Sequence, residues 1–330
     1  MEPLTIWMVL GFLFAAYSVI GNDSIQTLGT FIASNKSIRW QYLWIFVSVI
    51  LVGTLTYSYV MYGGDISYGR LEKIPFIEIK WYHAMAPLGL VILTRIGIPV
   101  STSLLVLSAF ASSLVFEQIL IKSAVGYGLA AIVAYTLWLL ISGWDNKRNA
   151  IPSSHEKYWR ITQWCATGFL WFTWLSHDIA NIAVFLPRSL QLPHFLFVLT
   201  VFVVGLAIIF WKQGGKIQEI VLEKTGTNYL RSATIIAFLY GFILLFFKEY
   251  SSIPMSTTWV FIGLLAGREL AIATQTRDYH FKNVFPLVGK DMLKLLFGLA
   301  VSIAIAVAIQ HAIHIGNFFS GLIDSILTLL

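Results

Sequence analysis

Long apolar runs, interrupted by short clusters of small polar and acidic residues, set the pattern of this chain. The first run covers about 4–34. Since about 20 apolar residues cross a bilayer as helix, it is too long for one plain span. Asn22 and Asp23 fall inside it, with Gly21 before and Gly29 after, so the pattern predicts a broken or locally unwound helix there. A span over about 41–62 follows, then a mixed stretch at 63–80 that reads as a loop with an interfacial piece. The runs 81–97 and 102–116 flank the polar cluster Pro99-Val100-Ser101-Thr102-Ser103. Each would be roughly 22–26 Å long as helix, short of a hydrocarbon core of about 30 Å, which predicts a re-entrant hairpin. A span at 125–144 closes this part.

The same order then returns. A long run holds His177 and Asp178, a span covers about 195–211, and a polar loop covers 212–228. Two arms flank Pro254-Met255-Ser256-Thr257-Thr258, and a further span covers about 292–313. The arm at 229–247 is long enough to cross, which weakens the hairpin reading in this half. Ser256 follows Ser101 by 155 residues, and Asp178 follows Asp23 by the same 155. Two polar motifs repeated in order and spacing predict a duplicated, all-α polytopic membrane protein with broken helices and re-entrant hairpins, its site built from both halves. The expected units are a first repeat over 1–144, a cytoplasmic linker over 145–160 and a second repeat over 161–330.

Composition agrees. The chain is 58% hydrophobic and only 12% charged, with mean hydropathy +0.77, whereas soluble domains carry about 25% charged residues. The formal charge of +6 does not suggest a nucleic-acid partner, because the basic residues lie in short loops between apolar runs. A single cysteine, Cys165, excludes an intramolecular disulfide and a cysteine metal cluster. Met1-Glu2-Pro3 lacks the basic start of a cleaved leader, so the first run is expected to be retained. Three crossings per half would invert one half against the other. With both termini outside, the inner loops hold 15 of the 22 Lys and Arg, as the positive-inside tendency requires. The expected location is the cell (inner or plasma) membrane, multi-pass.

The chemistry follows from the residue types. A Pro-x-Ser-Thr run can open a helix, because Pro suits the first turn and Ser or Thr caps it. A helix start offers free N–H groups and a positive dipole end. With the hydroxyls of Ser101, Thr102, Ser103, Ser256, Thr257 and Thr258, two such starts form a cradle for a tetrahedral oxyanion. The alternative is that these hydroxyls bond carbonyls one turn back. Asp23 and Asp178 are carboxylates inside apolar segments, where charge is costly and usually functional. A carboxylate does not touch an anion without a positive charge between them. The acids, with Asn22, Gln26, His177 and Asn181, therefore read as hard-oxygen sites for a small cation, sodium at Asp23 and Asp178 in the first instance, and the combination implies cation-coupled anion uptake. His177 could instead carry a proton beside Asp178, or stay neutral on a backbone carbonyl. Arg95 and Lys248 could attract an anion; snorkelling to headgroups is the preferred reading. Arg268 and Glu269 read as an interfacial ion pair. His311 and His314 lack a third metal ligand, and His83, His155, His194 and His280 carry no motif.

These motifs resemble the PiT-type inorganic phosphate transporters, which pair Gly-Ala-Asn-Asp-x-x-Asn with Pro-x-Ser-Thr-Thr once per half. This chain departs from that pattern: Ile20-Gly21 stands for Gly-Ala, Gln26 for the motif's Asn, Leu175-Ser176-His177 for Gly-Ala-Asn, and Leu104 and Trp259 for the His that commonly follows the hydroxyls. The resemblance implies inverted repeats, a homodimer, a central site with elevator-like movement, and no cofactor beyond sodium ions or protons as coupling ions. It assigns Asn22, Asp23, Asp178 and Asn181 to cation and substrate, and the six hydroxyls to phosphate. The expectation is a secondary transporter, not an enzyme, for phosphate or a similar oxyanion. A sulfate permease of the same fold is the alternative. An intramembrane aspartyl dyad of Asp23 and Asp178 is a rival that leaves the hydroxyl runs unexplained.

Overall fold

The computed structural model describes residues 4–95, 100–145, 153–213, 230–275 and 281–327, and these form helices joined by turns, with no strand among the described residues. Helix α1 (Ile6–Ser18) starts at Thr5, whose Oγ1 accepts the Met8 N–H. It runs through a π-helical turn at Val19–Asp23 directly into α2 (Ser24–Ser34). The expected break at Asn22–Asp23 is therefore a widened turn within a continuous 29-residue rod. Hydroxyls accompany the widening: Ser24 donates to the Ile20 carbonyl and Thr27 to the Ser24 carbonyl, so the backbone is not left bare in an apolar setting.

Helix α3 (Trp40–Met61) is apolar all round but buries one stripe, Leu43, Val47, Leu51, Leu55 and Ser58. The stripe packs on α7 (Ser153–Asp178) and α9 (Leu192–Trp211). Helix α9 likewise buries Phe195, Val198, Phe202, Leu206 and Phe210, at helical spacing, and leaves the rest of its apolar surface outward. A helix apolar on every side with one packed stripe is a membrane span with lipid on the remainder. Among the described residues six helical segments are long and apolar enough to cross: 6–34, 40–61, 113–141, 192–211, 230–250 and 284–309. The protein is multi-pass.

The arms of the first hydroxyl motif are short. Helix α4 (Met85–Arg95) has 11 residues, and α5 (Thr102–Val106) adds only a 3-10 turn at Leu107–Ala109. Eleven residues rise roughly 16 Å, so neither arm is long enough to cross. The expected second arm ends early, and α6 (Ser113–Asp145) begins twelve residues before the expected span. Pro99 and the Arg95 side chain lie outside the described residues. The second motif differs. Its arms, α10 (Leu230–Tyr250) and α11 (Thr257–Gln275), have 21 and 19 residues, close to 30 Å each, so both are long enough to cross and no short hairpin forms there. Helix α8 (Ala180–Ala183) restarts one residue after α7 ends, and the intervening Ile179 keeps a helical backbone. Helix α7 begins at Ser153, within the stretch 145–160; positions 146–152 and 214–229 lie outside the described residues. Helix α12 (Phe281–Leu327) carries Pro286 near its start and contains the expected span at 292–313.

The most extensive helix contact is α6 on α11. Gly263 and Gly267 of α11 lie against the α6 backbone: a Cβ built on them would fall 2.3 Å from the Tyr127 carbonyl oxygen and 2.0 Å from that of Ala131. Small residues at i and i+4 let two membrane helices approach this closely and gain dispersion along their length. Beside them Arg268 and Glu269 form the expected ion pair at 2.9 Å, with the guanidinium 5.1 Å from the Trp138 ring centroid.

Candidate ion and anion site

The two acids occupy matching surroundings. Asp23, at the end of the π turn, accepts on Oδ1 from the Asn22 amide at 2.7 Å and the Gln26 amide at 3.5 Å, and on Oδ2 from the Thr102 hydroxyl. Asp178, at the end of α7, accepts on Oδ1 from the Asn181 amide at 3.0 Å and on Oδ2 from the Thr257 hydroxyl at 2.5 Å. Each threonine opens its helix and lies 79 residues beyond its acid. All of these side chains are at most 7% exposed. A buried carboxylate is tolerated only when its lone pairs are met, and here each acid has its own hydroxyl and its own amides. The Asn181 amide must turn its nitrogen to the carboxylate, which leaves Asn181 Oδ1 buried without a hydrogen-bond partner. That hard oxygen, with Asp178, is suited to a small cation.

The serines have structural work. Ser101 Oγ accepts the Leu104 N–H at 3.1 Å and Ser256 Oγ the Trp259 N–H at 3.2 Å, the N-cap bonds expected of these runs. Ser103 donates across the molecule to the Met255 carbonyl at 2.9 Å, and the Ser256 N–H donates to Ser123 Oγ on α6 at 2.8 Å. Tyr240 on α10 donates to the Thr257 carbonyl at 2.9 Å. Thr258 is buried on the first turn of α11. The two hydroxyl motifs are thus bonded together and to the acids, with the caps, cross-bonds and acid bonds divided among different hydroxyls. The alternative of bonding one turn back applies to none of the bonds just described.

His177 is buried, with Nε2 2.7 Å from the Leu244 carbonyl and 3.4 Å from the Arg70 guanidinium. A bond to a carbonyl makes Nε2 a protonated nitrogen. This imidazole is therefore turned to α10 and Arg70 by that nitrogen, and Nδ1 has no hydrogen-bond partner. Arg70 was legible in the sequence only as one basic residue in the 63–80 loop. It is 2% exposed and donates from Nε to the Ser176 carbonyl at 2.8 Å and from Nη1 to the Ile253 carbonyl at 3.5 Å. Burial pulls its guanidinium down to about 10, opposed by the charges of Asp178 and Glu249, so it stays protonated at neutral pH. Lys122, from α6, donates to the Ser251 and Ile253 carbonyls at 3.0 and 2.6 Å. The Lys248 Nζ lies 5.0 Å from the Tyr68 ring centroid and 5.4 Å from that of Phe172, where two ring faces attract the ammonium. Among the described residues no three His, Cys, Asp or Glu side chains gather as a metal cluster.

No family model matches the sequence, and no curated protein matches it. A solved structure described as "The sodium-dependent phosphate transporter" aligns over 94% of this chain and 99% of its own, with a TM-score of 0.63 and 18% identity. The chain has the helical fold of that transporter structure, over nearly the whole length of both.

Proposed function

We propose that this protein carries phosphate, or a similar tetrahedral oxyanion, across a membrane by symport with a cation, sodium or proton. One observation carries the reading: in each half, a buried acid accepts the hydroxyl proton of the threonine that opens a helix, at the same separation of 79 residues. A threonine hydroxyl has one proton to give. While the carboxylate holds it, the hydroxyl presents a lone pair to the cradle, which repels an anion. A cation on the carboxylate takes over its charge, and the hydroxyl is then free to turn its proton toward the oxyanion. Cation and anion binding are coupled through the proton of a threonine hydroxyl. The sodium-dependent phosphate transporter that shares the fold supports this reading, as do the separate donor sets of the two acids, which suit two oxygen cages better than a proton-sharing aspartyl dyad.

The matching order of elements in the two halves supports a duplicated chain with inverted repeats. A homodimer, the cell membrane and termini on the outer side complete the proposal.

Purified protein in liposomes is expected to accumulate labelled phosphate under an imposed sodium or proton gradient. Failure to take up phosphate, sulfate or arsenate under either gradient would reject the proposal; sulfate uptake without phosphate uptake would reassign the anion. Thr102→Val and Thr257→Val keep the shape and remove the proton. Loss of a hydrogen bond to a charged group costs roughly 1.5–3 kcal/mol, so each is expected to weaken anion affinity about ten- to hundredfold, read from the concentration dependence of uptake. Unchanged affinity in both would reject the cradle.

A further inference from the structure

The two half-sites match in their acids, hydroxyls and amides, but not in their charge. Among the described residues Asp23 is bonded by no basic residue: its partners are the Thr102 hydroxyl and the Asn22 and Gln26 amides. Arg70 stands beside the Asp178 segment, bonded to the Ser176 carbonyl and 3.4 Å from His177 Nε2.

We propose that Arg70 is a built-in cation for the Asp178 half of the site, so that sodium binds at Asp23 and not at Asp178. The inference rests on the cation-coupled reading above. Three observations carry it. First, the guanidinium is fixed. Its backbone leaves a turn in which Tyr68 has φ of 60° and Gly69 of 70°, a left-handed path that is uncommon for tyrosine. The turn is held by the Tyr68 hydroxyl on the Thr54 carbonyl at 2.7 Å, by the Tyr68 N–H on Ser58 Oγ at 3.2 Å, and by Asp65, which accepts from the Ser67 and Gly69 N–H groups at 2.7 and 3.1 Å.

Second, the guanidinium bonds backbone, not acid. It holds the Ser176 carbonyl two residues before Asp178 and the Ile253 carbonyl three before Ser256, the two chain segments that carry the second half-site. Among the described residues Arg70 has no carboxylate within 4.0 Å, so its charge is not spent on a contact ion pair. Asp178 keeps both oxygens for Asn181 and Thr257 while Arg70 supplies the balancing charge from behind. Third, the surrounding charges reinforce it. Lys122 shares the Ile253 carbonyl and Lys248 covers the Tyr68 ring, while Glu249 partly balances them. A sodium ion approaching Asp178 meets fixed positive charge in a low-dielectric setting, where repulsion between unit charges is far stronger than in water. Among the described residues, no cation bonds Asp23 or the carbonyls that flank it.

The test is sodium-dependent thermal stability of the full chain in detergent, alongside phosphate uptake in liposomes. A ligand that binds the folded state raises Tm by mass action. Asp23→Asn is expected to abolish the sodium-dependent rise in Tm, and Asp178→Asn to leave it at nearly the wild-type size. Arg70→Gln is expected to enlarge it, because Asp178 then needs a cation, and to raise the Hill slope of uptake against sodium by about one site; Arg70→Lys is expected to keep the wild-type slope. Equal loss in Asp23→Asn and Asp178→Asn, or the absence of any sodium effect on wild-type Tm, overturns the proposal, and the acid pair decides it even if Arg70→Gln does not fold. An asymmetric Tm response in a protein that moves no oxyanion would overturn the transport reading and leave the sodium assignment standing.

Discussion

Asp23→Asn is expected to reduce sodium-driven phosphate uptake at least about a hundredfold while the protein still folds. The change keeps the side-chain shape and removes the Asp23 charge from a buried cluster. Removing one member of a buried charged pair typically costs about 3–5 kcal/mol, here the loss of what holds the cation. The substituted amide also has donors of its own, which face the Asn22 and Gln26 amides and the Thr102 hydroxyl, all set to donate to a carboxylate. Folding is spared because asparagine still accepts at one oxygen and no apolar contact is lost. Uptake measured against sodium, with circular dichroism as the folding control, checks this. Near-normal uptake with a normal sodium dependence would remove Asp23 from the coupling mechanism.

Gly267→Ala is expected to destabilise the protein by several kcal/mol, more than the polar substitutions above. The added carbon would meet the Ala131 carbonyl oxygen at 2.0 Å and its Cα at 2.9 Å. Both are backbone atoms of a long helix and have no rotamer to escape into, so α6 and α11 must part along their whole contact. Core overpacking alone costs about 1–3 kcal/mol, and parting two helices forfeits dispersion over many residues as well. Gly128→Ala, on α6 with open space around the site, is the control and is expected to change little. A thermal melt in detergent separates them. Equal Tm values would show that the interface yields without cost.

The acids and hydroxyl runs were legible because buried charge and repeated spacing are rare in an apolar chain. Thr102 and Thr257 stand one residue past Ser101 and Ser256, and the bonds they make to Asp23 and Asp178 follow the repeat the sequence displays. The division of labour among the hydroxyls was not legible, since a serine that caps and one that crosses to another helix look alike in sequence. Arg70 was missed for a physical reason: a lone arginine in a polar loop reads as solvated, and only the positive-φ turn at Tyr68–Gly69 turns it inward. The Gly263-x-x-x-Gly267 spacing was visible but is common enough in membrane helices to carry little meaning without its partner. The early start of α6 escaped notice because Ser112–Lys122 mixes polar and apolar residues, and Ser112, Ser113 and Glu117 stay exposed while the helix as a whole packs on α10 and α11.

The bond from Ser103 to the Met255 carbonyl, with that from the Ser256 N–H to Ser123, has a mechanical meaning. Both loops are stitched to each other and to α6, so opening a path by spreading them would strand buried donors and acceptors, at about 1–3 kcal/mol apiece. The facing stripes of α3 and α9, by contrast, are joined mainly by apolar contacts, which can slide with little directional penalty. Compliance is therefore distributed unevenly through the molecule: stiff where the ions are held, slippery where the spans meet. A cargo gripped by the stitched loops would travel with them as freight in a closed box, and the doorway would be made by the walls moving past it.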